Sequence, residues 1–241
     1  MLACAACLLT GCVTSDKYKL AKKDTPPATM LTWTVSTPPA ELTLETLIVI
    51  KGPGSWKYDA RWDEYMVKVT NHGASPLRID SASLVDVLGE LQFPGDDPWK
   101  LEKLSYTNWD KYGKAGVTLL AGYGIAGVYA TAALYVGLSG SVAAADAMIL
   151  ALPVLLVADV AGVAIIDHNR KEQVQQEFAR RRLALPFTVA PGATARGSLF
   201  FPMTPGPQRL TLKGKVGDAP LEIVLELKPL AGLHLKPGEA K

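Results

Sequence analysis

The sequence predicts a mainly β fold with an α insertion: a β-sandwich cut into two halves by a long apolar helical hairpin. Three observations point there. From Ala115 to Leu138 no charged residue occurs, a run that at the helical rise of about 1.5 Å per residue covers the hydrocarbon of a bilayer. A Gly-Ser turn around Gly140 then leads into a second apolar run, Val142 to Ile166. On either side lie short stretches of alternating apolar residues punctuated by Pro, Gly and Asn, the pattern of half-buried strands.

Taken in order, residues 1–11 are apolar and read as a signal peptide. Its basic opening is missing and its apolar run is short, so either the signal peptide is truncated or the likeness to one is accidental. Residues 12–29 carry Lys17, Lys19, Lys22, Lys23 and Pro26-Pro27 and form an extended tether. The first sandwich half, 30–98, contains strands over Met30–Ser36, Glu41–Ile50, Tyr65–Thr70, Leu77–Val85 and Gly89–Phe93, with a turn at Asn71-His72-Gly73. Asp96 and Asp97 sit in a Pro/Gly break and are turn residues. The insertion, 99–185, opens with an amphipathic helix to Tyr112. It continues through the two candidate membrane helices, 115–138 and 142–166, and closes with a polar helix over Asp167–Leu185. The second half, 186–230, is a meander over Phe187–Ala190, Arg196–Phe201, Arg209–Val216 and Leu221–Leu227, and 231–241 is a loose tail.

The hairpin carries the candidate contacts. Gly122, Ala126 and Ala130 fall four apart, a small-residue stripe that lets helices approach closely in lipid. Antiparallel pairing about Gly140 sets Asp159 level with Ala121–Tyr123, and Asp146 level with Leu134 and Tyr135. A carboxylate at mid-bilayer costs roughly 2.5–3.5 kcal/mol and turns inward to a partner, which makes Tyr123 the expected hydrogen-bond partner of Asp159. The alternative is a solvent-facing aspartate in a hairpin that never enters lipid. Gly122-Tyr123-Gly124-Ile125-Ala126-Gly127 spells G-x-G-x-x-G, but without a preceding strand it is not a nucleotide fingerprint, and helix packing is the expected use of its glycines. Trp99, Trp109 and Tyr112 beside Lys111 and Lys114 suit a membrane interface.

All three cysteines, Cys4, Cys7 and Cys12, lie in the first dozen residues, so the folded part has no disulfide framework. Leu9-Thr10-Gly11-Cys12 resembles the lipobox of bacterial lipoproteins, in which the cysteine is acylated and becomes the new N-terminus. That resemblance implies lipidation at Cys12. Val13 and Thr14 lack the aspartate that retains enterobacterial lipoproteins at the inner membrane, so it also implies the outer membrane, facing the periplasm. A second resemblance rests on Val67-x-Val69-x-Asn71-x-Gly73, Leu84-x-Asp86-x-x-Gly89, Pro191-Gly192 and Gly197-x-Leu199-Phe200-Phe201-Pro202. It is to the immunoglobulin-like domain of unknown function found in many bacterial secreted lipoproteins, and it covers the sandwich halves alone.

The 241 residues carry a net charge of +2 and 20% charged side chains, with no basic, aromatic-interleaved patch, which argues against nucleic acid as a partner. His72, His168 and His234 are scattered and read as surface histidines, so neither a metal site nor a cofactor is expected. Gly137-Leu138-Ser139-Gly140-Ser141 is the hairpin turn and not a nucleophile elbow, and no enzyme chemistry is expected. The expected role is that of a non-enzymatic envelope lipoprotein, structural or interaction-based. Its partners are membrane lipid, through Cys12 and the hairpin, and a second copy or another envelope protein. Lys111, Lys114, Arg170 and Lys171 flank the hairpin on one side, which the positive-inside rule assigns to the cytoplasm. A Gly/Ala-rich first helix and an Asp- and Pro-interrupted second one are marginal for insertion, and would escape the inner membrane on export. The alternatives are a two-span inner-membrane protein with a cytoplasmic sandwich, and a soluble binding module whose hairpin covers a pocket or oligomerises.

Overall fold

Alternation sorts the strands into two layers, because every second side chain of a strand points to the same face. The computed structural model describes residues 28–57, 59–126, 128 and 163–237. In the first antiparallel sheet, β1 (Trp33–Thr37), β2 (Ala40–Ile48), β3 (Asp63–Asn71) and β7 (Thr194–Phe201) run in the order β1-β2-β3-β7. The second has β5 (Leu91–Gln92), β4 (Leu77–Val85), β8 (Arg209–Val216) and β9 (Ala219–Glu226) in the order β5-β4-β8-β9, with β6 (Phe187–Val189) also on β4. The chain changes sheet between β3 and β4, between β6 and β7 and again between β7 and β8, which interlocks the layers. Leu42, Leu44, Tyr65, Val67 and Val69 face Leu77, Ile79, Leu84, Leu210, Leu212 and Ile223 in one core.

The turn after β3 shows why its motif has the residues it has. Asn71 is buried; its Oδ1 accepts from Gly73 N–H at 2.9 Å, and its Nδ2 donates to Ser75 O at 2.8 Å and Val189 O at 3.0 Å. One amide side chain thus closes the turn and ties it to β6.

Helix α1 (Pro98–Lys114) starts where Asp97 accepts from the N–H groups of Trp99 and Lys100, with Pro98 in the first turn. An N-cap carboxylate followed by proline is a strong helix start. Its buried stripe is Leu101, Glu102, Ser105, Asn108 and Tyr112. Helix α2 (Val163–Arg181) buries Val174 and Phe178. Both helices contribute to a second core with Trp56, Ala60, Trp62 and Phe200. Phe178 stacks on Phe200 at 4.1 Å between centroids, and Trp62 meets both edge-on at 5.6 and 5.2 Å.

The expected apolar hairpin is overturned. The first candidate helix, 115–138, does not begin as one: α1 ends at Ala115, and Gly116, Gly122 and Gly124 hold positive φ of 81°, 76° and 85°. Such angles break a right-handed helix and suit glycine. The segment instead turns, and Leu119 bridges to Leu235. The described end of the second candidate, 163–166, opens the polar α2. Among the described residues no helix is long and apolar enough to cross a membrane. Residues 129–162 lie outside the described residues.

The aromatic belt is overturned as well. Tyr112 is buried and donates to Asp86 Oδ2 at 2.8 Å; Trp99 packs on the second core, and Trp109 lies against the Arg61 guanidinium at 4.9 Å. Nor is the C-terminal region loose through 237. After a 3-10 turn at Lys228–Leu230, Leu233, His234 and Leu235 are buried.

Candidate functional site

The loop from Val49 to Trp62 folds back over the start of β3 and brings an unusual number of charges indoors. Lys57, Asp63, Glu64, Glu102 and His234 are all fully buried. A buried charge persists only when it is paired or hydrogen-bonded, and here most of the partners can be named.

Glu64 is the junction of loop, sheet and helix. Its Oε2 accepts from Trp56 Nε1 at 2.6 Å, and its Oε1 accepts from Ser198 Oγ at 2.6 Å and from Arg181 Nη1 at 3.3 Å. Arg181 also donates to Glu177 at 2.5 Å and lies 5.2 Å from the Trp56 ring. The basic end of α2 is therefore bound to the sandwich. Burial pushes the Glu177 carboxyl up, but hydrogen bonds from Arg180 and Arg181 outweigh it and leave the group below its ordinary value.

Asp63 and His234 form the second junction. His234 Nε2 is 2.9 Å from Asp63 Oδ2, and Gly122 N–H donates to His234 Nδ1 at 2.8 Å. Because Nδ1 accepts, the proton of a neutral imidazole sits on Nε2 and points at the carboxylate. Main-chain bonds reinforce the joint: Leu120 N–H donates to His234 O at 2.9 Å, His234 N–H to Tyr123 O at 3.0 Å and Lys236 N–H to Thr118 O at 3.0 Å. Gly124 permits this approach, since a Cβ there would stand 2.6 Å from Gly232 O.

Lys57 donates to Trp62 O and lies 4.1 Å from the Trp62 ring centre. Burial brings its ammonium down to about 8, against opposing pulls from Asp63, Glu64 and Glu102. A base whose folded value lies below its unfolded one binds fewer protons folded than unfolded across the interval between them. Its contribution to stability therefore grows as pH rises from about 8 to 10.5. Tyr65 acts oppositely: burial, then Asp63, raise its hydroxyl well above 10.0, and the stability it contributes is lost above that pH. The urea midpoint is expected to climb above pH 8 and fall beyond pH 10.5, with Lys57→Met flattening the climb. A climb that survives in the variant would assign it elsewhere.

A third network fixes α1. Asp86 accepts from the Leu88 and Glu90 N–H groups, Gln92 and Tyr112, and Asn108 donates to Gln92 Oε1 at 3.0 Å. A cleft of about 210 Å³ lies beside β7, walled by Pro94–Asp96, Arg182, Leu183 and Leu185. Among the described residues no group of three or more His, Cys, Asp or Glu side chains is placed to hold a metal ion.

No protein-family model, curated protein or solved structure matches the chain.

Of the residues singled out from sequence, Gly122 sits in a turn against His234, and Tyr123 and Ala126 are exposed. The small-residue stripe therefore does not start on a helix. Cys12, Ala130, Tyr135, Asp146 and Asp159 lie outside the described residues. His72 is a surface residue in its turn, as expected, whereas His234 is buried, contrary to expectation. Lys57, Asp63, Glu64 and Glu102 went unremarked in the sequence. The available signal was charge interleaved with Trp56 and Trp62.

Proposed function

We propose that the chain is a bacterial cell-envelope lipoprotein that holds a β-sandwich at the outer membrane, on its periplasmic side, through an acylated Cys12, in a structural or interaction role. The observation that carries this reading is Leu9-Thr10-Gly11-Cys12, followed by a lysine- and proline-bearing tether that ends where the sandwich begins. The strand order supports the immunoglobulin-like part. Strands β2-β3-β7 facing β4-β8-β9 repeat the A-B-E against C-F-G arrangement of such sandwiches. The non-catalytic part is supported by the buried charges. Glu64 and the Asp63–His234 pair are engaged in joining segments of the chain, and each imidazole nitrogen already has a partner.

Metabolic labelling with a palmitate analogue in a bacterial host tests the reading. Incorporation into the unaltered chain and its loss in Cys12→Ala are expected. Label that persists in Cys12→Ala, or never appears in the unaltered chain, would overturn it.

A further inference from the structure

Two parts of the chain meet at one end of the sandwich. A Cβ at Gly54 would stand 2.5 Å from the Ala28 Cβ, so the tether arrives against the loop after β2. A Cβ at Gly122 would stand 2.9 Å from Ile50 O, which places the foot of the Gly/Ala-rich stretch against that same loop. Met30, two residues on from Ala28, and Leu120 and Tyr123, on either side of Gly122, are 47%, 47% and 42% exposed. Single exposed apolar residues need no explanation, but three on the two stretches that reach this one loop do. Lysines stand beside them: Lys51 pairs with Asp59 while its side chain remains 61% exposed, and Lys236, exposed, bonds through its N–H to Thr118 O.

We propose that this end of the sandwich is a lipid-facing surface, with Met30, Leu120 and Tyr123 resting in the headgroup region and Lys51 and Lys236 reaching anionic lipid. The inference rests on the lipoprotein reading and adds to it which face of the domain meets the membrane. The occupant follows from the chemistry of the patch and its place. Apolar side chains, a tyrosine whose ring and hydroxyl suit opposite sides of an interface, and flanking lysines are what a bilayer surface takes. Acylation would hold the tether in that bilayer. Strand β3 runs from Asp63 at this end to Asn71 at the other, about 27 Å away at strand rise, so the His72–Ser75 turn faces away from the membrane.

Hydrogen exchange of the full chain on phosphatidylethanolamine–phosphatidylglycerol vesicles, against the chain in detergent, tests this, with intact mass reading acylation in the same sample. Acylated protein is expected to exchange about tenfold more slowly on vesicles at 28–31 and 118–124, and unchanged at 72–75. Leu120→Asp with Tyr123→Asp should remove that gain while leaving acylation intact. Acylated protein that gains protection elsewhere, gains none, or keeps the gain in the double variant overturns the surface and leaves the lipoprotein reading standing. Unacylated protein overturns the lipoprotein reading, and this surface with it.

Discussion

Replacing Glu64 with Ala is expected to destabilise the protein by about 3–5 kcal/mol, the range for removing one partner of a buried ion pair. The carboxylate is wholly buried and serves Trp56, Ser198 and Arg181 together. Alanine leaves an indole N–H, a hydroxyl and a guanidinium without their acceptor. Glu64→Gln separates the charge from the hydrogen bonds. Its carbonyl can still accept from Ser198, but its amide nitrogen cannot accept from Trp56, so an intermediate loss of about 1–3 kcal/mol is expected. Equilibrium urea denaturation measures both, and near-ultraviolet circular dichroism follows the Trp56 and Trp62 environments. Losses below 1 kcal/mol for both variants would mean that solvent reaches Glu64 and that α2 is held by its apolar face alone.

That clamp also marks the limit of what the chain discloses unaided. Strand positions were legible because their cause is local. The Leu77–Val85 and Arg209–Val216 alternations coincide with β4 and β8, and Asn71-His72-Gly73 does make the turn its residue types imply. The Pro98 start of α1 was legible to within a residue for the same reason. The glycines of 115–128 misled because small residues serve two ends. They pack helices in lipid, and they also allow positive φ and close backbone contact, which is how Gly122 and Gly124 are used. Glu64 and Asp63 were opaque because, Trp56 apart, the partners that fix their roles lie 117 to 171 positions away along the chain. Hydropathy reads such residues as the solvated end of a strand. His234, four residues beyond a 3-10 turn and near the C-terminus, gave no local sign of burial.

His234→Ala is expected to cost about 1.5–3 kcal/mol, the range for a hydrogen bond to a charged group, since it leaves the buried Asp63 Oδ2 with a long bond from Thr204 N–H at 3.5 Å. Its consequences should differ in kind. The imidazole joins three separate stretches: β3 through Asp63, the 118–124 turns through Gly122, and the C-terminal segment that carries it. Its removal should release the second and third locally before the sandwich unfolds, so the amides of Leu120, Gly122, His234 and Lys236 should lose exchange protection at denaturant concentrations where β3 and β8 keep theirs. Asp63→Ala breaks the same joint from the other side, and the double variant should destabilise by well under the sum of the singles, a coupling of about 1–3 kcal/mol. Strict additivity, or uniform loss of protection across both sheets, would show the pair to be an ordinary part of the core. A coupled, local loss would show that the attachment of the Gly/Ala-rich stretch to the sandwich hangs on one side chain.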